Sequence, residues 1–238
     1  MLGHINALRH SFSGLFLICA ALIFAAPTAE RAQAQPANVP GYLLKQNSKR
    51  YGAISTLIGP KGFRMDAMGI KIYCTAPFQV ISMYNAANKS VFRTAVTTFG
   101  QRVNLLTLTA KEKAQGLKIA VKSEPKSTFA GLTLQNTLME HLDPKGKRKP
   151  VMRIASTHDI KLPRALEQAC CILTSCPPGY GLPIKLYMWS GGLREPLLET
   201  TKLEKKDFAQ SAFAEPRGYR QVSDEMQLMM EDDNLQAF

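Results

Sequence analysis

The sequence predicts an α+β domain: one large curved antiparallel sheet, an incomplete β-barrel, covered by one or more helices. Three observations predict it. Short apolar or alternating runs recur between Tyr51 and Leu203, as half-buried strands require. Turn signals such as Gly59-Pro60-Lys61-Gly62 and Ser190-Gly191-Gly192 separate them, with connections too short for parallel crossovers. Only Pro163 to Thr174 carries a strong helical pattern, with Leu166, Ala169, Cys170 and Leu173 on one side. Strands in excess, with one or two helices, need those helices on one face of the sheet.

The elements follow in order. Gly41 to Arg50 has apolar residues only at Tyr42 to Leu44 and suits a short helix or an opening strand. Tyr51 to Ile58, Phe63 to Ala67, Ile70 to Cys74 and Phe78 to Tyr84 are strand runs, and Asn85 to Asn88 turns the chain into Ser90 to Thr97. Leu117 to Lys122 alternates, and Phe129 to Met139 places Leu132, Leu134 and Leu138 in phase. The basic run Lys145-Gly146-Lys147-Arg148-Lys149 lies between Pro144 and Pro150 and reads as a loop before a strand at Val151 to Thr157. Leu182 to Trp189 and Glu195 to Leu203 form a further pair. Ser223 is the expected cap of a last helix whose Met226, Met229 and Met230 form a core-facing stripe or an adaptable surface for greasy ligands.

The first 34 residues read as a signal peptide. Arg9 precedes an apolar run, Leu15 to Ala26, that Pro27 ends, and Ala32-Gln33-Ala34 has the small-x-small form of a cleavage site. Twelve helical residues reach only about 18 Å, short of a bilayer core of about 30 Å. The expected layout is a signal peptide over 1–34, a linker and lead-in segment over 35–44, one domain over 45–222, and a C-terminal helix and tail over 223–238. The expected location is periplasmic or secreted, and no later stretch spans a membrane.

The chain carries a net charge of +12, and removing Arg9, Arg31 and Glu30 (net +1) leaves +11. An exported protein with that charge is drawn to anionic lipids or glycans rather than to nucleic acid. The candidate anion-binding residues are Lys145, Lys147, Arg148 and Lys149. Past the signal segment, four cysteines remain, and oxidising surroundings favour bridges. A bridge between adjacent Cys170 and Cys171 would be strained, which leaves Cys74 bonded to one of the pair and Cys176 to the other. Their spacing matches no common zinc signature, so no metal site is expected.

Catalytic signals are lacking. The remaining histidines, His141 and His158, read as surface residues, and Asp66 beside Arg64 as a sheet ion pair. No nucleophile elbow or phosphate-cradling glycine loop occurs. Neither an enzymatic activity nor a cofactor is expected.

Several motifs carry a resemblance. Tyr51-Gly52-x-Ile54, Ile58-Gly-Pro-Lys-Gly-Phe-Arg-Met-Asp66, Val80-Ile-Ser-Met-Tyr-Asn85 and Phe213-Ala-Glu-Pro-Arg-Gly-Tyr-Arg220 together resemble the periplasmic lipoprotein carrier group, the LolA/LolB-like fold, over roughly residues 45 to 222. The resemblance implies an incomplete barrel with helices as a lid over an apolar hollow that takes acyl chains of a lipid or lipoprotein. It further implies that Arg64 helps hold the lid by hydrogen bonds. The expected lining is Phe63, Arg64, Met65, Ile72, Val80, Met83, Leu132 and Leu134. The expected function is therefore a non-enzymatic carrier or binding protein for a hydrophobic ligand. The alternative is an envelope interaction protein that docks through its basic surface.

Overall fold

A computed structural model describes residues 38–103 and 108–230. The expected signal peptide and acidic tail lie outside the described residues. Two antiparallel meanders make up the sheet. The first comprises β1 (Asn38–Ser48), β2 (Gly52–Gly59), β3 (Gly62–Ala67), β4 (Ile70–Thr75), β5 (Val80–Asn85) and β6 (Ser90–Ala95). The second comprises β7 (Lys118–Phe129), β8 (Leu132–Leu142), β9 (Arg148–Thr157), β10 (Leu182–Ser190) and β11 (Leu193–Ala209). β1 pairs with β11 and joins them, and a short parallel strand, β12 (Arg220–Val222), pairs with the outer side of β6. The result is one open sheet of 12 strands, ordered β12-β6-β5-β4-β3-β2-β1-β11-β10-β9-β8-β7, and not closed into a barrel.

Turn chemistry explains most of the hairpins. β7 and β8 turn through Ala130-Gly131, both at positive φ (47° and 79°), the mirror-image turn that matches strand twist. The sequence pattern starts a strand at Phe129, which instead ends β7, and the new strand begins at Leu132. Register shifts at Lys45/Gln46, Glu124/Ser127, Met139/Glu140, Pro183/Lys185 and Leu186/Tyr187 put bulges into both halves of the sheet, and bulges bend strands. The basic run is only half a loop. β9 begins at Arg148, and Pro150 sits within the strand beside the Met139/Glu140 bulge, where a missing N–H is tolerated.

The two meanders meet at a satisfied polar trio. The Gln46 amide donates to Thr200 Oγ1 (2.9 Å), and Thr56 Oγ1 donates to Gln46 Oε1 (3.1 Å). All three side chains are buried. A one-residue slip would strand these groups without partners, so the trio penalises alternative registers.

Helices cover one face. α3 (Arg164–Leu173) buries Leu166, Ala169, Cys170, Cys171, Ile172 and Leu173 against β3 and β10, as its periodicity predicts. α1 (Val96–Val103) packs on α3, and α2 (Ala110–Ala114) follows it with a Thr109–Glu112 capping box. Sequence patterning missed both, because the strand-like run from Ser90 leads directly into α1. Gly100 allows the α1–α3 approach, since a Cβ there would lie 3.0 Å from Ile172 Cδ1. α4 (Glu225–Met229) packs on β5 and β6. Its cap is Asp224, which accepts from Gln227 N, and not Ser223. Its core-facing residue is Leu228, whereas Met226 and Met229 are exposed, so no methionine stripe faces the core.

The opposite face is closed by the chain after β11. A 3-10 turn, Gln210–Phe213, lays Phe213 edge-on to Phe208 and over Gly59, where a Cβ would approach the Phe213 ring to 3.1 Å. The glycine of the Gly-Pro-Lys-Gly turn thus makes room for an aromatic plug. Glu215 then accepts from Ser82 Oγ (2.9 Å), Tyr84 Oη (2.5 Å) and Arg93 (3.3 Å), and Tyr219 packs edge-on to Tyr84. The Phe213-to-Arg220 motif is therefore a strap that seals the face turned away from the helices.

Candidate functional site

Strand alternation sends Met65 and Ala67 of β3, Ile70 and Ile72 of β4, and Met83 of β5 toward the helices. The helices do not fill that face. Two hollows remain. One, of ≈ 210 Å³, lies between β2–β3, the C-terminal end of α3 and β10–β11; Ile54, Met65, Leu173, Met188, Leu197 and Leu198 make its apolar wall. The other, of ≈ 250 Å³, lies under α1 and α4; Ala67, Ile70, Ile72, Met83, Phe99 and Leu228 wall it.

The hollows share two residues, Arg50 and Tyr51, from the turn between β1 and β2. Ser48 Oγ accepts from the backbone N–H groups of Arg50 and Tyr51, which fixes that turn. The exposed Arg50 guanidinium stacks on the Tyr51 ring at 5.1 Å. Burial pushes the Tyr51 phenol above its ordinary range, so it stays a neutral hydroxyl. The neighbouring Lys49 pairs with Glu195. Exposed Met68 and Met229 rim the second hollow, and methionine adapts to ligands of varied shape. Asn85 and Asn88 hold α4 over it: their amides donate to Leu228 O (2.8 and 3.2 Å), and Asn88 also donates to Met230 O (2.8 Å).

The expected lining residues divide. Met65, Ile72 and Met83 line the hollows. Phe63 and Leu134 are buried core, and Leu132 is partly buried against that core. Val80 is 45% exposed at the start of β5. Arg64 lies on the other face of β3 and donates twice to Asp66 (3.0 and 2.6 Å). Its hydrogen bonds are thus spent within its own strand, unlike the lid-holding role the resemblance implies. Sequence reasoning missed Arg50, Met68, Met188 and the Leu197–Leu198 pair. The Tyr51-Gly52 turn was the one signal available for the shared edge, because an aromatic beside a glycine turn has no strand partner to cover it.

The four cysteines converge on α3 without bridging. Cys74, Cys170, Cys171 and Cys176 are all buried free thiols, a correction to the two expected disulfides. They act as small apolar packing groups in the contact between helix and sheet. Cys171 Sγ donates to Gly181 O (3.3 Å), and Cys176 N donates to Cys171 O (2.8 Å). Burial pushes the Cys74 thiol up to about 11 and Cys170 well above its ordinary value; Cys176 is raised first by its hydrogen bond with Cys171 and then by burial. Cys74, Cys170 and Cys176 therefore stay protonated at neutral pH. Among the described residues, no group of three or more His, Cys, Asp and Glu side chains is placed to hold a metal.

His158 and Asp159 form a corner and face different partners. Asp159 accepts from Thr133 N (2.7 Å), while His158 Nδ1 lies 3.9 Å from Glu167. At the β8–β9 tip, Asp143 Oδ1 accepts from the backbone N–H groups of Lys145 (2.9 Å) and Lys147 (2.8 Å). That holds the exposed side chains of Lys145, Lys147 and Lys149 outward, while Arg148 pairs with Glu140 (3.1 Å).

No protein-family model matches the chain, and no curated protein matches it. Among solved structures, the crystal structure of MucB is similar to it at a TM-score of 0.36 and 11% identity. That match covers 79% of this chain and 61% of the MucB chain. So distant a likeness bears on neither ligand nor partner, and membership of the lipoprotein carrier group has no family match behind it.

Proposed function

We propose that this chain is an exported, non-enzymatic carrier or binding protein for a hydrophobic ligand, held between the sheet and the layer of α1, α3 and α4. The observation that supports it is the pair of apolar hollows which the chain's own side chains leave unfilled. Both are open to solvent at the rim and apolar along the wall, the form that small-molecule clefts take. Burying an acyl chain there stabilises by about 0.8 kcal/mol per methylene. Polar groups at the shared edge would remain in water while the chain goes in. α4 walls only the second hollow, where Asn85, Asn88 and buried Leu228 tie it to the sheet, and movement of that short helix would open this hollow for loading and release.

The test is mass spectrometry of organic extracts from protein purified under native conditions, together with uptake of an environment-sensitive fatty-acid probe. Co-purifying lipid or saturable uptake is expected. Protein that neither retains nor takes up any amphiphile would rule the function out.

A second function is supported by the β8–β9 tip. Its outward lysines suit docking to an anionic envelope surface, each contributing about 1 kcal/mol near acidic lipid. Flotation with vesicles containing phosphatidylglycerol measures it, and docking that does not weaken with added salt would count against it.

A further inference from the structure

The geometry points to a specific ligand class for the hollows: a two-chain amphiphile whose chains diverge from a phosphate-bearing head, one chain in each hollow and the phosphate on Arg50. This rests on the binding function proposed above. A single apolar cavity would fit one chain of any amphiphile. Here there are two hollows, similar in volume, whose shared residues are Arg50 and Tyr51. Each falls below the roughly 300 Å³ at which ligand pockets usually begin, and the two together exceed it. Tyr51 lines both hollows beside Arg50, which puts this turn where two chains would join one head.

Arg50 supplies the sign of the head. It is exposed beside Tyr51 and makes no ion pair with any described residue, whereas adjacent Lys49 is committed to Glu195. A guanidinium offers a planar fork of donors that matches phosphate oxygens two at a time. The acid at this site is Glu225, which lines the second hollow only. A head that is zwitterionic or net anionic satisfies the same fork, so the phosphate, not the net charge, is what the site reads.

The test uses full-length protein after export, with three probes below their micelle concentrations: dioctanoyl phosphatidylglycerol, dioctanoyl glycerol and octanoate. Affinities are measured by calorimetry on wild type and on Arg50→Gln, a change at an exposed turn position. The expected order is phosphatidylglycerol over dioctanoyl glycerol by about tenfold or more, with octanoate weakest. Arg50→Gln should remove the phosphate's advantage, read as the ratio of the phosphatidylglycerol to the dioctanoyl glycerol affinity within each protein. Equal binding of the two-chain probes in both proteins overturns the assignment of the head while leaving the hollows as a binding site. Octanoate binding as tightly as dioctanoyl glycerol overturns the division of chains between the hollows. Binding of none of the probes overturns the hydrophobic-ligand function itself.

Discussion

Substituting Ala67 tests whether the second hollow is real, because the sign of the stability change depends on it. Ala67 sits on β3 between Ile54 and Ile70, is 6% exposed, and lines the ≈ 250 Å³ hollow under α1 and α4. Ala67→Leu adds three carbon atoms pointing into that space. If the space is unfilled, their burial stabilises by at most about 2.4 kcal/mol at 0.8 kcal/mol per carbon. Ordering the leucine side chain takes back about 0.5–1 kcal/mol. The net gain is about 1–2 kcal/mol, and poorer fit erodes it from there. In a solidly packed core, the same insertion destabilises by about 1–3 kcal/mol. Urea denaturation distinguishes the two outcomes through the transition midpoint, provided the m-value is unchanged. The same variant should lose fatty-acid probe binding, since the leucine occupies the ligand's volume. A lower midpoint with an unaltered m-value would refute the existence of a hollow at this position.

Other predictions bear on the parts around the hollows. Glu215→Ala removes the acceptor shared by Ser82, Tyr84 and Arg93 and should cost about 1–3 kcal/mol in urea denaturation, leaving ligand uptake intact because the strap is on the other face. An equal loss of probe binding would show that the two faces are coupled. Alkaline pH should destabilise the fold. Cys74 is raised from 9.0 to about 11, so its contribution is fully present below the unfolded thiol pKa and lost as pH rises from about 9 through 11. The ceiling for Cys74 alone is on the order of 3 kcal/mol, reduced by solvent screening. A flat stability profile between pH 8 and 11 would contradict its burial as a neutral thiol. Replacing Lys145, Lys147 and Lys149 together by Gln should weaken flotation with phosphatidylglycerol vesicles at low salt, with no change in thermal stability, because Asp143 holds the turn through backbone groups that remain. Undiminished flotation would remove the tip from any docking role.

The periodicities written along the chain determine its local structure. Alternation specified most strands, the Gly-Pro-Lys-Gly and Ser-Gly-Gly signals specified their turns, and the Leu166–Leu173 pattern specified α3 and the face it buries. These are short-range properties, set by side-chain direction and backbone preference within a few residues. Tertiary structure decided the rest. The β1–β11 pairing that joins the meanders brings together residues as far apart as Asn38 and Ala209, and neither strand's pattern names its partner. The same holds for the site. Phe63, Met65 and Leu134 look alike as apolar residues on alternating strands, yet Met65 borders a hollow and the other two are ordinary core. Arg50 and Tyr51 look like an unremarked turn until α3 and α4 close over either side of it. A cavity is volume that nothing fills, so no residue encodes it alone. It arises where bulged strands and a short helical layer fail to meet, a mismatch that exists only once distant segments are packed together.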